Sequence, residues 1–278
     1  PAFRLPKDIV AKELDGLRER EVEFKVNWVG GRTISVDQLF KDGYKAVFIG
    51  VGAGLPQFMK IPGENSIGVF SANEYLTRVN LGRAYNFPKQ DTPAYPGKHV
   101  TVFGAGNVAM DAARTALRMG AESVHVVYRR TRAEMPARLE ELEHAEEEGV
   151  QFAMLSAPLR FNGDAEMRLQ SVTLQRMELG EPDASGRRSP VPIPEATETI
   201  DIDLAIVSVG VSPNPIVPSS IKGLELGRKG TIAVNDNMQS SIPTIYAGGD
   251  IVRGGATVIL AMGDGRKAAA AMNEQLKN

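Results

Sequence analysis

Cysteine is absent from this 278-residue chain. Its absence excludes disulfides, a redox dithiol, and thiolate ligation of zinc or an iron–sulfur cluster within the chain. Histidine is scarce too. His99, His125 and His144 are scattered, which argues against a metal site. Neither charge sign dominates: 32 basic and 34 acidic residues leave a net charge of −2. That balance suggests neither nucleic acid nor an anionic membrane as a partner. No apolar run approaches the roughly 18 residues that a membrane helix needs, and no signal-peptide pattern is visible. A cytoplasmic location is therefore expected. An initiating methionine is also missing. The chain opens at Pro1 and runs straight into PAFRLPKDIVAKELDGLRER, as if entered part-way through something longer.

What is present is ordinary for a globular protein, with 42% hydrophobic and 24% charged residues and length enough for two domains. One stretch organises it. Val100 to Phe103 reads as a strand, Gly104-Ala105-Gly106-Asn107-Val108-Ala109 as a turn, and a helical pattern follows. A second strand, Val124 to Tyr128, ends in arginines. This is a βαβ unit with a Gly-x-Gly-x-x-Ala turn. The first glycine allows the turn, the second lets backbone approach a pyrophosphate, and the small third residue lets helix pack on strand. With 28 glycines in the chain, the bare pattern is weak. The flanking strand, helix and strand carry the inference; the bland alternative is an ordinary strand-to-helix turn.

Before this unit, residues 7–20 place Ile9, Val10, Leu14 and Leu17 on one helical face. Val22, Phe24 and Val26 alternate with charged neighbours, as in a half-buried strand. Ser35 or Asp37 is placed to cap a short helix through Leu39 and Phe40. Tyr44 to Ile49 is a strand running into Gly50-Val51-Gly52-Ala53-Gly54, either a place for close ligand approach or a flexible turn. Residues 55–96, rich in Pro and Gly around a helix near Ala72 to Leu81, read as a connection without sheet rhythm.

After the unit, Arg138 to Glu148 reads as an acidic helix, with Leu139 and Leu142 inward and its carboxylates solvated. Gln151 to Leu155 is a third parallel strand. A β-meander is expected from Met167 to Asp203, with GEPDASGRRSPVPIP as a loop within it. Leu204 to Val209 is a buried strand; Ile232 with Val234, and Thr244 to Ala247, mark two more. Ala256 to Asn273 reads as a helix.

The end of the second strand bears on nucleotide choice. A carboxylate there accepts hydrogen bonds from a ribose 2′-hydroxyl, whereas a 2′-phosphate requires guanidinium. Arg129 and Arg130, with Arg132 nearby, favour NADP(H) over NAD(H); a solvated basic loop is the alternative. Ala247-Gly248-Gly249-Asp250 is a second candidate. Asp250 could bind a polyol, and the helix beginning at Ala256-Thr257-Val258 could direct its positive end at an electron-rich ring. A structural turn explains the same residues.

Six ordered segments then carry a resemblance: VFIGVGAG, GKHVTVFGAGNVAMDAARTALRMGA, VYRRTRAEMPAR, MELGEPDASGRRSPVPIP, IVSVGVSPNP and YAGGDIVRGGATVILAMGDGRKAA. Together they resemble the small (beta) subunit of NADPH-dependent glutamate synthase. They equally resemble the large subunit of NADH-dependent ferredoxin:NADP oxidoreductase and the amino-terminal flavin region of dihydropyrimidine dehydrogenase.

The resemblance implies an α/β chain of two Rossmann-like, glutathione-reductase-type domains. An NADPH-binding domain (97–212) would be inserted in an incomplete FAD-binding domain (1–96 and 213–278). It implies Gly104, Gly106, Asn107 and Ala109 at the NADPH pyrophosphate and Arg129 and Arg130 at the 2′-phosphate. Gly249, Asp250, Thr257 and Val258 would lie at the flavin, with Gly50 and Gly52 where FAD crosses the sheet. Hydride would pass from NADPH to FAD without a side-chain acid or base, so no catalytic residue is named. The implied partner is the glutamate synthase large subunit or another electron-accepting subunit. Relatives also begin with a cysteine-rich iron–sulfur region and a first FAD-binding Gly-x-Gly-x-x-Gly unit, neither of which is present here. Iron–sulfur clusters are thus expected only in a preceding region, the chain is expected to be a carboxy-terminal part of such a subunit, and its FAD binding is expected to be weakened.

Overall fold

A computed structural model describes residues 1–182, 186 and 188–277. In chain order its first elements are α1 (Lys7–Arg18), α2 (Val36–Lys41), β1 (Val47–Ile49), β2 (Leu55–Pro56), β3 (Val69–Ser71) and α3 (Ala72–Asn80). The central part comprises β4 (His99–Phe103), α4 (Asn107–Arg118), β5 (Ser123–Tyr128), α5 (Leu139–Glu147) and β6 (Gln151–Met154). Then come β7 (Ser156–Gly163), β8 (Leu169–Pro182), β9 (Arg188–Asp201), β10 (Leu204–Val207) and β11 (Val211–Ser212). The chain closes with α6 (Ile216–Ser219), β12 (Ile245–Ala247), α7 (Asp250–Arg253) and α8 (Val258–Lys277). It divides into two compact units: residues 1–11 with 56–209, and 12–55 with 210–278.

The first unit is built on a five-stranded parallel sheet in the order β3-β10-β4-β5-β6. Its central strands are apolar on both sides because both faces are covered. Ala109, Met110, Ala112, Ala113 and Ala116 of α4 pack on Val100, Val102, Val124 and Val126. On the other face Phe103, Val127 and Ala205 meet Phe161, Val172 and Leu174 of the antiparallel sheet β7-β8-β9. Phe103 and Phe161 stand edge to face, with centroids 5.3 Å apart.

β3 pairs in parallel with β10, so residues 55–96 contribute a strand where none was expected; three residues are too few to show an alternation. The expected loop 180–194 is shorter than read, since β8 runs to Pro182 and β9 begins at Arg188. Residues 183–185 and 187 of that loop lie outside the described residues. Pro190 and Pro192 pair with Leu179 and Met177 all the same. They are tolerated because β9 is an edge strand, whose outward N–H groups have no neighbour to serve.

In the second unit β1 and β12 pair in parallel. Ile49, Ile232, Ile245, Ala247 and Ile251 form its core. Ser35, not Asp37, caps α2, accepting the Gln38 N–H. The expected strand at Val22, Phe24 and Val26 does not form: these residues stay exposed, and alternation alone supplies no partner for the backbone. Ile232 is buried but makes only an isolated bridge to Leu226. α1 forms as expected, yet none of its residues is buried. No helix among the described residues is long and apolar enough to cross a membrane.

The acidic helix α5 differs from its expectation. Leu142 is buried, but Leu139 is exposed because it sits in the first turn, outside the stripe that faces the core. The carboxylates at its ends are not simply solvated. Glu141 pairs with Arg4 (2.6 Å) and Arg114 (3.2 Å), and Glu148 pairs with Arg114 (2.8 Å) and Arg118 (2.7 Å). Phe3 lies against both guanidinium groups, at 4.3 and 4.4 Å from its centroid. The network ties α4 to α5.

Hydrogen bonds from Arg118, and then Arg114, hold the Glu148 carboxyl well below its ordinary 4.5, at about 2. A carboxyl depressed in the folded state stabilises fully above its unfolded pKa and loses that contribution as pH falls through the folded value. Melting temperature should therefore fall between pH 4.5 and about 2. Glu148→Gln should lower it at neutral pH and flatten that acid limb; an unchanged acid slope would remove Glu148 from the account.

Candidate functional site

β4 ends at Gly104 with φ +134°, and a Cβ there would stand 2.2 Å from the Ser208 carbonyl oxygen. No side chain fits. The Gly104 N–H donates to Val127 O (3.2 Å) and Ser208 N–H to Phe103 O (2.8 Å), so three strand ends are fixed around the turn. Gly106 differs. It is the extended N-cap of α4, no side chain caps the helix, and nothing lies within 4 Å of where its Cβ would be. No side chain caps the first N–H groups of α4, where the positive end of its dipole lies, and the residues that open it, Asn107 and Val108, are exposed. Ala109 is fully buried, seating the helix on the strand.

The segment after β5 folds back on this turn. Ala137 N–H donates to Ala105 O (3.1 Å), and Arg138 N–H to the Asn107 Oδ1 (3.0 Å). The side-chain oxygen of Asn107 is thus committed to positioning that segment, leaving its backbone in the first helical turn. The same bond places Arg138, whose side chain is exposed, beside the turn. Sequence reasoning passed over Arg138; a cation directly N-terminal to the next helix was the available signal.

The three arginines after β5 have different surroundings. Arg129 is exposed and makes no ion pair among the described residues. Arg130 is buried, its Nε donating to the Arg188 carbonyl at 2.9 Å. Arg132 is paired with Glu146, with Nη2 at 2.9 Å from Oε2. The one carboxylate in this loop, Glu134, turns inward to the Thr131 N–H (3.0 Å) and hydroxyl (2.5 Å). The open turn, the uncapped helix and an unpaired guanidinium fit a dinucleotide carrying a further phosphate.

A second glycine constellation lies within the second unit. Gly248 could not hold a side chain, because a Cβ would meet Asp264 Cβ at 2.7 Å. Gly249 has φ +74° and donates its N–H to Asp264 Oδ2 (3.0 Å). Asp264 also receives Arg253 Nε (2.7 Å) and Nη2 (2.6 Å), and these bonds, Arg253's first, hold its carboxyl below the usual range. Sequence reasoning missed Asp264. A lone acid in the small-residue helix segment LAMGDGRKAA was its signal.

Asp250 accepts the Ala256 N–H (3.0 Å), and Thr257 Oγ1 accepts the Leu260 N–H (3.3 Å) at the start of α8. Val258 and Ile259 beside it are 71% and 79% exposed. Gly50 has the Phe48 ring 3.0 Å from its Cβ position, whereas Gly52, at φ +69°, has open space. The exposed apolar start of α8 leads into Ala261, which packs on Gly249 (3.3 Å from its Cβ position). No group of three or more potential metal ligands occurs among the described residues.

Comparison with known proteins gives the family of the chain. Residues 10–265 match the family model of pyridine nucleotide-disulphide oxidoreductases. The chain is 38% identical to the beta subunit of NADP(+)-dependent formate dehydrogenase from Moorella thermoacetica, matching 100% of itself and 38% of that protein. It is 36% identical to the NADPH glutamate synthase small chain of Escherichia coli, over 97% of itself and 58% of that subunit. The glutamate synthase small chain of Azospirillum brasilense gives 36% over 100% and 58%. The chain thus spans between about two fifths and three fifths of these relatives. Its fold is that of FprA from Mycobacterium tuberculosis in complex with NADPH, with TM-score 0.72, 22% identity, and 91% of this chain and 68% of that one covered.

Asp264 generates a stability test. Asp264→Ala leaves the Gly249 N–H and the Arg253 guanidinium without their acceptor, at a cost of about 1–3 kcal/mol. Asp264→Asn keeps an acceptor and should recover part of the loss in thermal melting. Equal melting temperatures for all three proteins would show the pair to be inert.

Proposed function

The chain belongs to the pyridine nucleotide-disulphide oxidoreductase family, and from that premise we propose that it is the nucleotide-binding portion of an NADPH-dependent flavoprotein oxidoreductase. In this reading NADPH supplies a hydride and FAD accepts it. The observation that carries the reading is the pairing of an uncapped α4, open at Gly106, with an exposed arginine and no outward carboxylate after β5. Gly104 shapes the turn and Ala109 seats the helix. Gly106 and the first-turn backbone from Asn107 hold the pyrophosphate. Arg129 takes the 2′-phosphate, and Arg138 adds a cation at the turn.

On the flavin side, Gly52 leaves the backbone open, Gly50 lets it pass the Phe48 ring, Asp250 bonds the polyol chain, and Thr257 with Val258 presents the start of α8 to the ring. Hydride transfer needs aligned rings and no titrating side chain, so these residues orient and exclude water rather than move protons.

Electrons then pass to a partner subunit. The similarity to glutamate synthase small chains supports glutamate synthesis as the destination, with the large subunit as partner. The similarity to a formate dehydrogenase beta subunit supports a second reading, in which the same portion serves another acceptor. Binding without turnover is the alternative for this length of chain.

NADPH-dependent reduction of ferricyanide by the 278-residue chain with added FAD tests the assignment. Turnover is expected, whereas NADPH binding without any turnover would leave a binding module. A flavin absorbance band at full stoichiometry in the purified chain would sink the expectation of weakened FAD binding. Arg129→Ala should weaken NADPH by roughly 1–3 kcal/mol and leave NADH nearly unchanged. Equal weakening of both nucleotides would refute the 2′-phosphate role.

A further inference from the structure

Arg130, the second arginine of the basic run, is not placed like a surface phosphate ligand. It is 7% exposed, and its Nε bond goes to the carbonyl of Arg188, far along the chain. Arg188 opens β9, and its own guanidinium closes the β8–β9 hairpin, donating to Gly180 O (2.9 Å) and Leu179 O (3.1 Å). The backbone is laced at the same place. Leu155 N–H donates to Arg130 O (3.1 Å), and Met177 N–H of β8 to Leu155 O (2.8 Å). Leu155 holds φ +51°, a conformation that non-glycine residues seldom adopt. β8, β9 and the turn between β6 and β7 thus converge on the end of β5.

Burying a guanidinium against a carbonyl oxygen, with no carboxylate partner among the described residues, is costly. An apolar side chain would fill the volume without that cost, but it would not hold the hairpin. The first residue of β9 also sits beside the loop after β5, because its carbonyl is bonded by the chain neighbour of Arg129. Glu134 lies below the usual carboxylate range, first because of the Thr131 hydroxyl and to a smaller extent because of Arg188.

We propose that Arg130 is a positioning residue that holds the β8–β9 hairpin against the end of β5, and that Arg188 joins Arg129 as the second cation of the 2′-phosphate subsite. The proposal rests on the NADPH reading above and deepens it. Discrimination between the two nicotinamide nucleotides then depends on a hairpin outside the βαβ unit. Arg129 binds directly, Arg188 adds its charge from β9, and Arg130 keeps Arg188 in place.

Calorimetric titration of the 278-residue chain with 2′,5′-ADP and with 5′-AMP isolates the 2′-phosphate. The unaltered chain should prefer 2′,5′-ADP. Arg188→Gln, a change at an exposed position, should lower 2′,5′-ADP affinity about tenfold and leave 5′-AMP unchanged. Arg130→Met should show the same selective loss together with faster trypsin cleavage after Arg188. Arg130→Lys, which keeps a donor, should restore part of both. Selective loss in Arg130→Met with unchanged cleavage would make Arg130 a direct ligand and overturn the proposal. So would an Arg188→Gln chain that retains full 2′,5′-ADP affinity, a result that stands even if Arg130→Met fails to fold. An unaltered chain without preference for 2′,5′-ADP would overturn the NADPH reading itself, and the proposal with it.

Discussion

At Gly104 the backbone of β4 passes so close to Ser208 that a Cβ would lie 2.2 Å from a carbonyl oxygen. That contact decides much of what surrounds it. It lets β4 and β10 lie side by side to their ends, and it starts α4 within three residues of the strand. The helix so started has no side-chain cap. A residue with a side chain would have to part β4 from β10, and so displace the helix from the strands on which its alanines pack.

The second unit meets the same crowding differently. Gly248 and Gly249 follow β12, and a buried carboxylate closes the turn. Asp264 takes the Gly249 N–H and a two-point bond from Arg253, so burial of its charge is compensated. One turn therefore leaves its helix without a side-chain cap, while the other binds its own N–H to Asp264. The difference lies in whether the chain supplies an anion of its own.

Much of the architecture was legible because its signals are local. The βαβ unit, the meander and α8 follow from strand runs, glycine spacing and helical periodicity. Where the reading failed, the deciding partner was distant. Val22, Phe24 and Val26 alternate as a strand should, yet nothing among the described residues supplies the other half of a ladder. β3 was invisible at three residues and exists because β10 pairs with it. The carboxylates of α5 read as a solvated face, yet at its ends they meet arginines of α4 and the chain's first residues.

The arginines after β5 show where the division falls. Their number, and their place at the end of a second strand after Gly-x-Gly-x-x-Ala, are properties of the linear chain, and the expectation of NADP(H) rests on them. Which arginine is available is not. Arg129 is exposed, Arg130 turns to the carbonyl of Arg188, and Arg132 meets Glu146. A strand's period and a turn's steric demand act over a few residues and can be read in order. The fate of a charge depends on which acceptor the folded chain brings within 3 Å, and here those acceptors come from β9 and α5.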